Sequence, residues 1–546
     1  MAVAFTRSLG NEAGVQLNDT VDNSGGFAGN TVEDQTFACA VRTVRGPIDR
    51  AFMAYKSNVL NITGRPQSHR QNILNDGHGM LIEALKRGAR GAVVSRLVGA
   101  DVSNQWVLVK ENEVKGDNWE YSFELVQEIP EEPFIFAFKH KGCFSDGIKV
   151  SLSAKEKLDD EDQPIDNDMV TFKILDKSGN MVLGFSASLS LDNVDDYGLP
   201  NNLQTIAEKY NADDIEIVLA DNAKISKDSA AYGKDDNGLQ QIQTSRLLFP
   251  FQEGDVSSLT VKEYQEAVKR LHDTTLDYVY ISSMNSESVA LISELQMLAH
   301  ARNIESFIDV PGYLTPKQAI AWKNQTGIKT HLATFTWCPI ECLDPNGVSG
   351  RVMFGASAYR VALSCYRNAK INAYGFPMKQ QAIAGRDYPL QRTGMKLIYK
   401  PSQPELSDLA TNGINPVIYA SFTGGGAYIF ADVVTAKGRM DSYLNLISST
   451  ECITTLERNV GRMAHESFMF GPMQEAIEVA KREIKKHFEH AETSGWLVKS
   501  NELDGNAFII DVRASEQRPA DVMIVEFKCH VDGCVRQVHI TSEITR

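Results

Sequence analysis

Four residues near the carboxy terminus, Cys529, His530, Cys534 and His539, carry the donor types of a zinc site. Thiolates and imidazoles at close spacing are what a tetrahedral zinc ion takes. The segments that hold them, Val522–Val531 and Cys534–Ile544, read as strands joined at Asp532-Gly533, the residue pair of a type I′ hairpin. Pairing through that turn sets Val531 opposite Cys534, so both cysteines point to one face and both histidines to the other. The geometry opposes a shared metal, and no metal is expected. Cys338-Pro-Ile-Glu-Cys342 matches neither a Cys-x-x-Cys redox pair nor half of a zinc module. Phe422-Thr-Gly-Gly-Gly-Ala427 has the glycines of a phosphate cradle, but it leads into the β-branched and aromatic run Tyr428–Val433, where a phosphate loop should open a helix. It reads as a tight connection between two strands. The acidic run Asp159, Asp160, Glu161, Asp162, Asp166 and Asp168 lacks the turn glycine and closing glutamate of a calcium loop and reads as a solvated loop. With no Walker pattern, nucleophile elbow, zinc-protease motif or dinucleotide fingerprint, no convergent catalytic site can be assembled, and no cofactor is expected.

The residues that remain do the chemistry of association. In Met473–His490 the apolar Met473, Ile477, Ala480, Ile484 and Phe488 recur at helical spacing, and Lys481, Arg482, Lys485 and Lys486 fall within roughly 140° of arc beside them. One face packs and the next is cationic, although Glu475, Glu478, Glu483 and Glu489 pair locally with some of that charge. The expected strand Cys534–Ile544 is the last element of the sequence, and a terminal strand with an open edge invites pairing with another chain.

A length of 546 residues suggests roughly three or four domains, and 43% apolar content is ample for proper cores. The net charge of -15 argues against a general nucleic-acid binder, and a local basic helix in an acidic protein suggests one acidic partner. No run approaches the roughly 20 apolar residues that span a bilayer, and the first residues lack a signal-peptide hydrophobic region, so a cytoplasmic origin is expected. Eight cysteines scattered over this length do not form a disulfide framework and read as reduced, buried thiols.

Along the chain, residues 1–35 are rich in Asn, Gly and Asp and read as an arm with brief extended patches. From Thr36 an α/β pattern begins: a strand at Phe37–Arg42, a helix around Gly79–Arg87 and a strand at Gly91–Val98. Residues 105–275 are mostly strand-like, including Met169–Leu175 and Met181–Leu189 separated by a turn at Asp176–Asn180. Leu276–Ile281, Glu287–His300 and Ile304–Ile308 then alternate as strand, helix and strand, the rhythm of a parallel crossover. It continues with a helix at Pro316–Thr326 and a strand near His331–Trp337, and residues 350–377 read as helical up to Gly375. The fold class expected is a multi-domain α/β and α+β chain.

The order of these pieces resembles the contractile tail sheath proteins of phages, a family shared with pyocin and type VI secretion sheaths. Thr36–Gly46 followed by Leu81–Gly99 is similar to the family's amino-terminal pattern of a strand ending in Arg-Gly-Pro, then a helix and a Gly-flanked strand. Phe172–Leu191 with Asn202–Ala220 resembles the segment before the variable outer part. The most distinctive match spans residues 405–546 and opens with Glu405–Val433, which has an Asn-Gly-Ile-Asn turn, a strand, a glycine turn and a second strand. Ser449–Met473 resembles the long helix into a Phe-Gly-Pro junction, here Phe470-Gly-Pro472, and the closing helix and strands match the family's carboxy-terminal domain. The Pro-Gly-Val-Tyr opening of many sheaths is replaced by Ala13-Gly-Val-Gln16, and residues 221–275 match nothing in the pattern.

The resemblance implies a structural subunit that polymerises into hexameric rings stacked helically around an inner tube and contracts to drive the tube through a host envelope. It divides the chain into an arm (1–35), a first part of the sheath core (36–104), a β-rich peripheral insertion (105–275), an α/β sheath domain (276–440), a tube-proximal carboxy-terminal domain (441–534) and a terminal strand or arm (535–546). Ala2, Val3, Ala4, Phe5, Val15, Leu17, Val535, Val538, Ile540 and Ile544 would form inter-subunit strands, and Lys481, Arg482, Lys485 and Lys486 would face the tube. The implied partners are neighbouring sheath subunits, the tube protein, and baseplate and terminator or neck proteins. Neither nucleic acid nor membrane insertion is implied. The setting would be a virion tail assembled in the host cytoplasm. Two other classes stay open on the residues: an α/β enzyme with a crevice between the 276–375 crossover and Gly424–Gly426, and another self-assembling phage shell component.

Overall fold

The computed structural model describes residues 32–66, 77–111, 121–131, 133–226, 233–234, 240–344, 350–353, 355–438, 442–468 and 471–543. These fall into two compact units. The first holds the described residues from 35 to 366 and from 383 to 438, and the second those from 32 to 34, from 367 to 382 and from 442 on.

Long apolar runs in the first unit make a buried, mostly parallel sheet. Its strands are β1 (Thr36–Val41), β2 (Phe52–Tyr55), β3 (Gly91–Arg96), β4 (Tyr280–Ser282), β5 (Glu305–Val310), β6 (Ala333–Trp337), β7 (Ile414–Phe422) and β8 (Gly425–Phe430), in spatial order β2-β3-β1-β4-β5-β6-β7-β8. The inner six run parallel, while β2 and β8 pair antiparallel at the edges. Every residue of β1, β3, β5 and β6 is buried, as the strands of a parallel sheet covered on both faces are. Outside the β-rich stretch its longer helices are α1 (His78–Arg87), α2 (Val261–Asp273), α3 (Val289–Arg302), α4 (Pro316–Thr326), α5 (Ser357–Asn368) and α6 (Gln403–Thr411). Capping boxes start three of them, with Glu263 closing on Thr260, Gln318 on Thr315 and Glu405 on Ser402. The expected crossover rhythm is present as β4-α3-β5-α4-β6.

Between β3 and α2 the same unit carries two large antiparallel sheets. One orders its strands as Ile215–Leu219, Phe136–His140, Trp106–Glu111 and Tyr121–Val126. The other runs Met181–Ser188, Met169–Asp176, Ile148–Lys155, Gln240–Leu248 and Gly233–Lys234. They share one core, where Phe172 meets Phe138 edge-on at 5.0 Å and Phe136 at 5.6 Å. The β-rich core ends earlier than the expected residue 275: α2 turns Tyr264, Ala267, Val268 and Leu271 onto Ala38 and Ala40 of β1, so it belongs to the parallel sheet. Arg96, the fully buried last residue of β3, donates to the Gly46 carbonyl at 3.0 Å and the Ser145 hydroxyl at 2.8 Å, fastening the end of β3 to the turn that follows Phe136–His140. Burial lowers its pKa to about 10, so it stays charged at neutral pH.

The second unit is built on α7 (Ile447–Met463) and α8 (Met473–Thr493), with a π-helical turn at Ala464–Phe468 after α7, and on the antiparallel pair β9 (Phe508–Ala514) and β10 (Met523–Cys529). Leu456, Ile477, Ala480, Ile484, Phe488, Phe376 and Trp496 form its core. The helix expected to run to Gly375 stops at Asn368 because Asn372 accepts from the backbone N–H of Tyr374 and of Phe376, and Gly375 takes the positive φ of 78° that closes this turn. Phe376 then stacks edge-on against Trp496 at 4.9 Å, and Trp496 Nε1 donates to Pro377 O. Those contacts draw residues 367–382 out of the expected 276–440 domain and into this unit.

The expected hairpin through Asp532-Gly533 does not form. β10 pairs instead with β9, in register from Phe508 opposite Cys529 to Ala514 opposite Met523. Beyond Cys529 the backbone is taken up elsewhere: His530 N donates to Ala507 O, Val498 N to His530 O and Asp532 N to Trp496 O. Gly533 lacks the positive φ of a type I′ turn, and residues 534–543 form no strand.

Candidate functional site

The β9–β10 ribbon lies on α8 with one face. Alternation puts Phe508, Ile510, Val512 and Ala514 of β9 opposite Cys529, Phe527, Val525 and Met523 of β10, all in the same hydrophobic cluster as Ile484 and Phe488. Phe488 meets Phe527 at 4.9 Å and Phe508 at 5.4 Å. Of these eight strand residues only Val512 is buried, and the other seven are half-buried. The outer face is ionic: Arg513 bridges Asp511 and Glu526, the latter at 2.9 Å, and its guanidinium holds the Glu526 carboxyl below the usual range. Among the described residues this sheet has two strands, so neither long edge carries a further ladder.

The chain after the ribbon supplies unusual exposure. Val535 is 82% exposed, Val538 72% and Ile540 89%. Val538 and Ile540 are two residues apart and would share one face of an extended chain. Residues Ala2, Val3, Ala4, Phe5, Val15, Leu17 and Ile544, the remaining arm positions, lie outside the described residues.

On α8, Ala476, Ile477, Ala480, Ile484, His487, Phe488 and Ala491 are buried, and Met473 is half-buried. Lys481, Arg482 and Lys485 are exposed on the other side, each beside a carboxylate: Lys481–Glu478 at 3.7 Å, Arg482–Glu483 at 3.1 Å and Lys485–Glu489 at 3.9 Å. Lys486 is half-buried. The stripe therefore presents cations whose field is partly cancelled on the same helix.

The would-be chemical motifs are dispersed. No grouping of three or more His, Cys, Asp or Glu able to hold a metal occurs among the described residues. Cys529 is half-buried at the end of β10, where burial pushes its thiol to about 11, while His530 packs on Tyr443 at 5.0 Å. Cys338 and Cys342 are both buried, and burial raises both thiols. Thr423-Gly424 links β7 to β8 as a hairpin turn, with φ of 99° at Gly424 and 140° at Gly425, so the glycines serve the turn. In the acidic run, Asp159 closes its own loop by accepting from the N–H of Glu161 and Gln163.

Sequence reasoning missed β9, although Phe508-Ile-Ile-Asp-Val-Arg-Ala514 comes after a turn at Asp504-Gly505, and Asp504 and Gly505 both have positive φ. It also missed four buried charges of the second unit, Asp34, Arg367, Lys379 and Glu451. Nothing in their spacing announces them.

No protein-family model matches this chain, and no curated protein does. Among solved structures, the chain is similar to chains of contractile injection systems. One belongs to the baseplate of the anti-feeding prophage (AFP), with TM-score 0.41, 11% identity and coverage of 54% of this chain and 76% of that one. Another belongs to the PVC sheath complex of an extracellular contractile injection system in its contracted state, with TM-score 0.41, 16% identity and coverage of 50% and 74%.

Proposed function

We propose that this protein is a structural subunit of a contractile tail sheath, polymerising around an inner tube and contracting to drive that tube through a host envelope. One observation carries the reading: a two-stranded ribbon leaves seven of its eight α8-facing residues half-buried, and the chain beyond it exposes Val538 and Ile540 to solvent. A strand added from another copy would close an edge with backbone hydrogen bonds and bury those side chains at once.

In this reading the chain before residue 32 and the chain after Cys534 are donated to neighbouring subunits, α8 turns Lys481, Arg482, Lys485 and Lys486 toward acidic residues of the tube, and the β-rich insertion is peripheral. Baseplate and terminator or neck proteins bound the polymer, and the sheath serves genome ejection from a virion tail assembled in the host cytoplasm. Work would come from the difference in buried interface between two packings, which requires no catalytic residue.

Negative-stain microscopy of the purified protein tests this. Tubes or stacked rings are expected, and the double variant Val538→Asp/Ile540→Asp should abolish them while the protomer melts as before. Small closed oligomers from the unaltered protein, or normal polymers from the variant, would overturn the proposal.

A further inference from the structure

Two ion pairs lie wholly inside the second unit. Lys379 Nζ contacts Asp34 Oδ1 at 2.6 Å, with side chains 1% and 3% exposed, and Arg367 contacts Glu451 Oε1 at 2.9 Å, both 1% exposed. Neutral groups stitch them together. Asn368 accepts from Arg367 Nε and Nη2 at 3.1 and 3.0 Å and donates to the backbone carbonyl of Asp34 at 2.9 Å. Lys379 also donates to Thr455 Oγ1 at 2.8 Å, and Thr455 donates to the Glu451 carbonyl at 2.7 Å. Arg367 Nη1 reaches the carbonyls of Gln381 at 2.8 Å and Lys379 at 3.3 Å. The cluster thus joins three segments far apart in sequence: residue 34, residues 367–381, and α7 through Glu451 and Thr455.

Their place along the chain gives the cluster its meaning. The polypeptide passes between its two units between residues 34 and 35, 366 and 367, and 382 and 383, and a fourth time near 439. Asp34, Arg367 and Asn368 stand at the first two crossings, and Lys379 and Gln381 just before the third. A buried ion pair adds little net stability, because desolvation offsets attraction, but removing one partner leaves the other stranded. Such a group is poor glue and a good all-or-none latch. A partly satisfied network of this kind is worse than none, so its members hold together or release together.

We propose that the Asp34–Lys379–Arg367–Glu451 cluster is a latch that makes residue 34, residues 367–381 and α7 one cooperative element. Resting on the strand-donation reading for what would pull, a neighbour drawing on the chain before residue 32 would load α7 through Lys379 before it loads β1, which begins at Thr36. The latch itself needs no neighbour.

Hydrogen–deuterium exchange of the full-length protein tests it, comparing wild type with Lys379→Met. Exchange should accelerate at least about tenfold together in 367–382 and in 447–463, as a shared opening demands, while 148–188 keeps its rate. Acceleration confined to residues around 379 would overturn the latch whether or not the protein forms tubes. If Lys379→Met fails to accumulate folded, Thr455→Val removes one hydrogen bond from the same amine, and the same joint or local pattern decides. Polymers without joint exchange would leave the sheath reading intact and reject the latch; joint exchange without polymers would do the reverse.

Discussion

The β-rich insertion and the β9–β10 ribbon use the same alternating strand, yet only one of them finishes its own core. In the insertion, two sheets close on each other and Phe136, Phe138 and Phe172 are each 0% exposed. In the ribbon, the matching positions against α8 stay half-buried apart from Val512. Opposing sheets exclude water from both sides, whereas a two-stranded ribbon on a helix leaves its flanks wet. A region that buries its strands is a finished part; a region that leaves them half-covered, next to a tail with exposed apolar residues, is what the proposed strand donation would complete.

The sharpest way to break this contrast is to damage the finished part. Phe172→Ala removes a ring that touches both sheets and should cost about 3–5 kcal/mol, a loss visible as a lower chemical-denaturation midpoint. Polymer formation well below the new midpoint should survive, because Phe172 lies on no open edge. The tail variant Val538→Asp/Ile540→Asp should behave in the opposite way. If Phe172→Ala abolished polymers while remaining folded, the insertion could not be a self-contained part.

The same physics sets how much of the molecule is legible in its residues. Elements whose own residues carry a full periodic or turn signal announce themselves: β1, β3, the β4-α3-β5-α4-β6 crossover, α8 and the glycine turn between β7 and β8 all come from periodicity and turn chemistry. The hairpin at Asp532-Gly533 misleads because an Asp-Gly pair carries the turn signal even where Trp496–Val498 competes for the same backbone groups, and a long-range partner wins. α2 is obscured by the strand-rich stretch before it, although Thr260 and Glu263 spell a capping box. The latch is invisible, since one aspartate, one lysine, one arginine and one glutamate scattered from 34 to 451 form no pattern until the chain is folded. In the candidate site, helical spacing identifies both the cations of α8 and their i,i+3 and i,i+4 neighbours Glu478 and Glu489. Only the structure sets those carboxylates at 3.7 and 3.9 Å from Lys481 and Lys485 and so fixes the charge balance.

Acid should strike the first unit through two buried histidines. Burial lowers the pKa of His78 to about 3 and of His140 to about 4, with Arg96 and Arg45 adding to the effect, and His78 keeps its neutral ring 2.8 Å from the Thr63 hydroxyl. Each ring is neutral when folded and takes a proton near pH 6.5 when unfolded, so below that value the unfolded chain binds more protons. Stability then falls as pH falls, by roughly 1.4 kcal/mol per pH unit for each histidine down to its folded pKa. Comparing denaturation midpoints at pH 7 and 5 for wild type and His140→Phe should show a shallower decline in the variant. An unchanged slope would mean that His140 titrates in the folded protein as it does in the unfolded chain.

The smallest effect on the protomer is expected where the largest effect on partner choice is proposed. Lys481→Glu/Lys485→Glu removes two exposed ion pairs and sets like charges beside Glu478 and Glu489. Exposed pairs are worth about 0–1 kcal/mol each, so the protomer should melt nearly as before. On a tube with an acidic outer surface the same reversal replaces attraction with repulsion at every subunit, and a small term repeated around a ring becomes decisive. Co-sedimentation with tubes should be lost in the variant, and in the unaltered protein it should weaken as salt is raised. Contacts this weak suit the proposed contraction, in which the surface would let go of its partner. Normal co-sedimentation of the variant would remove α8 from the proposed tube interface, while leaving the ribbon and its tail as the proposed site where subunits join.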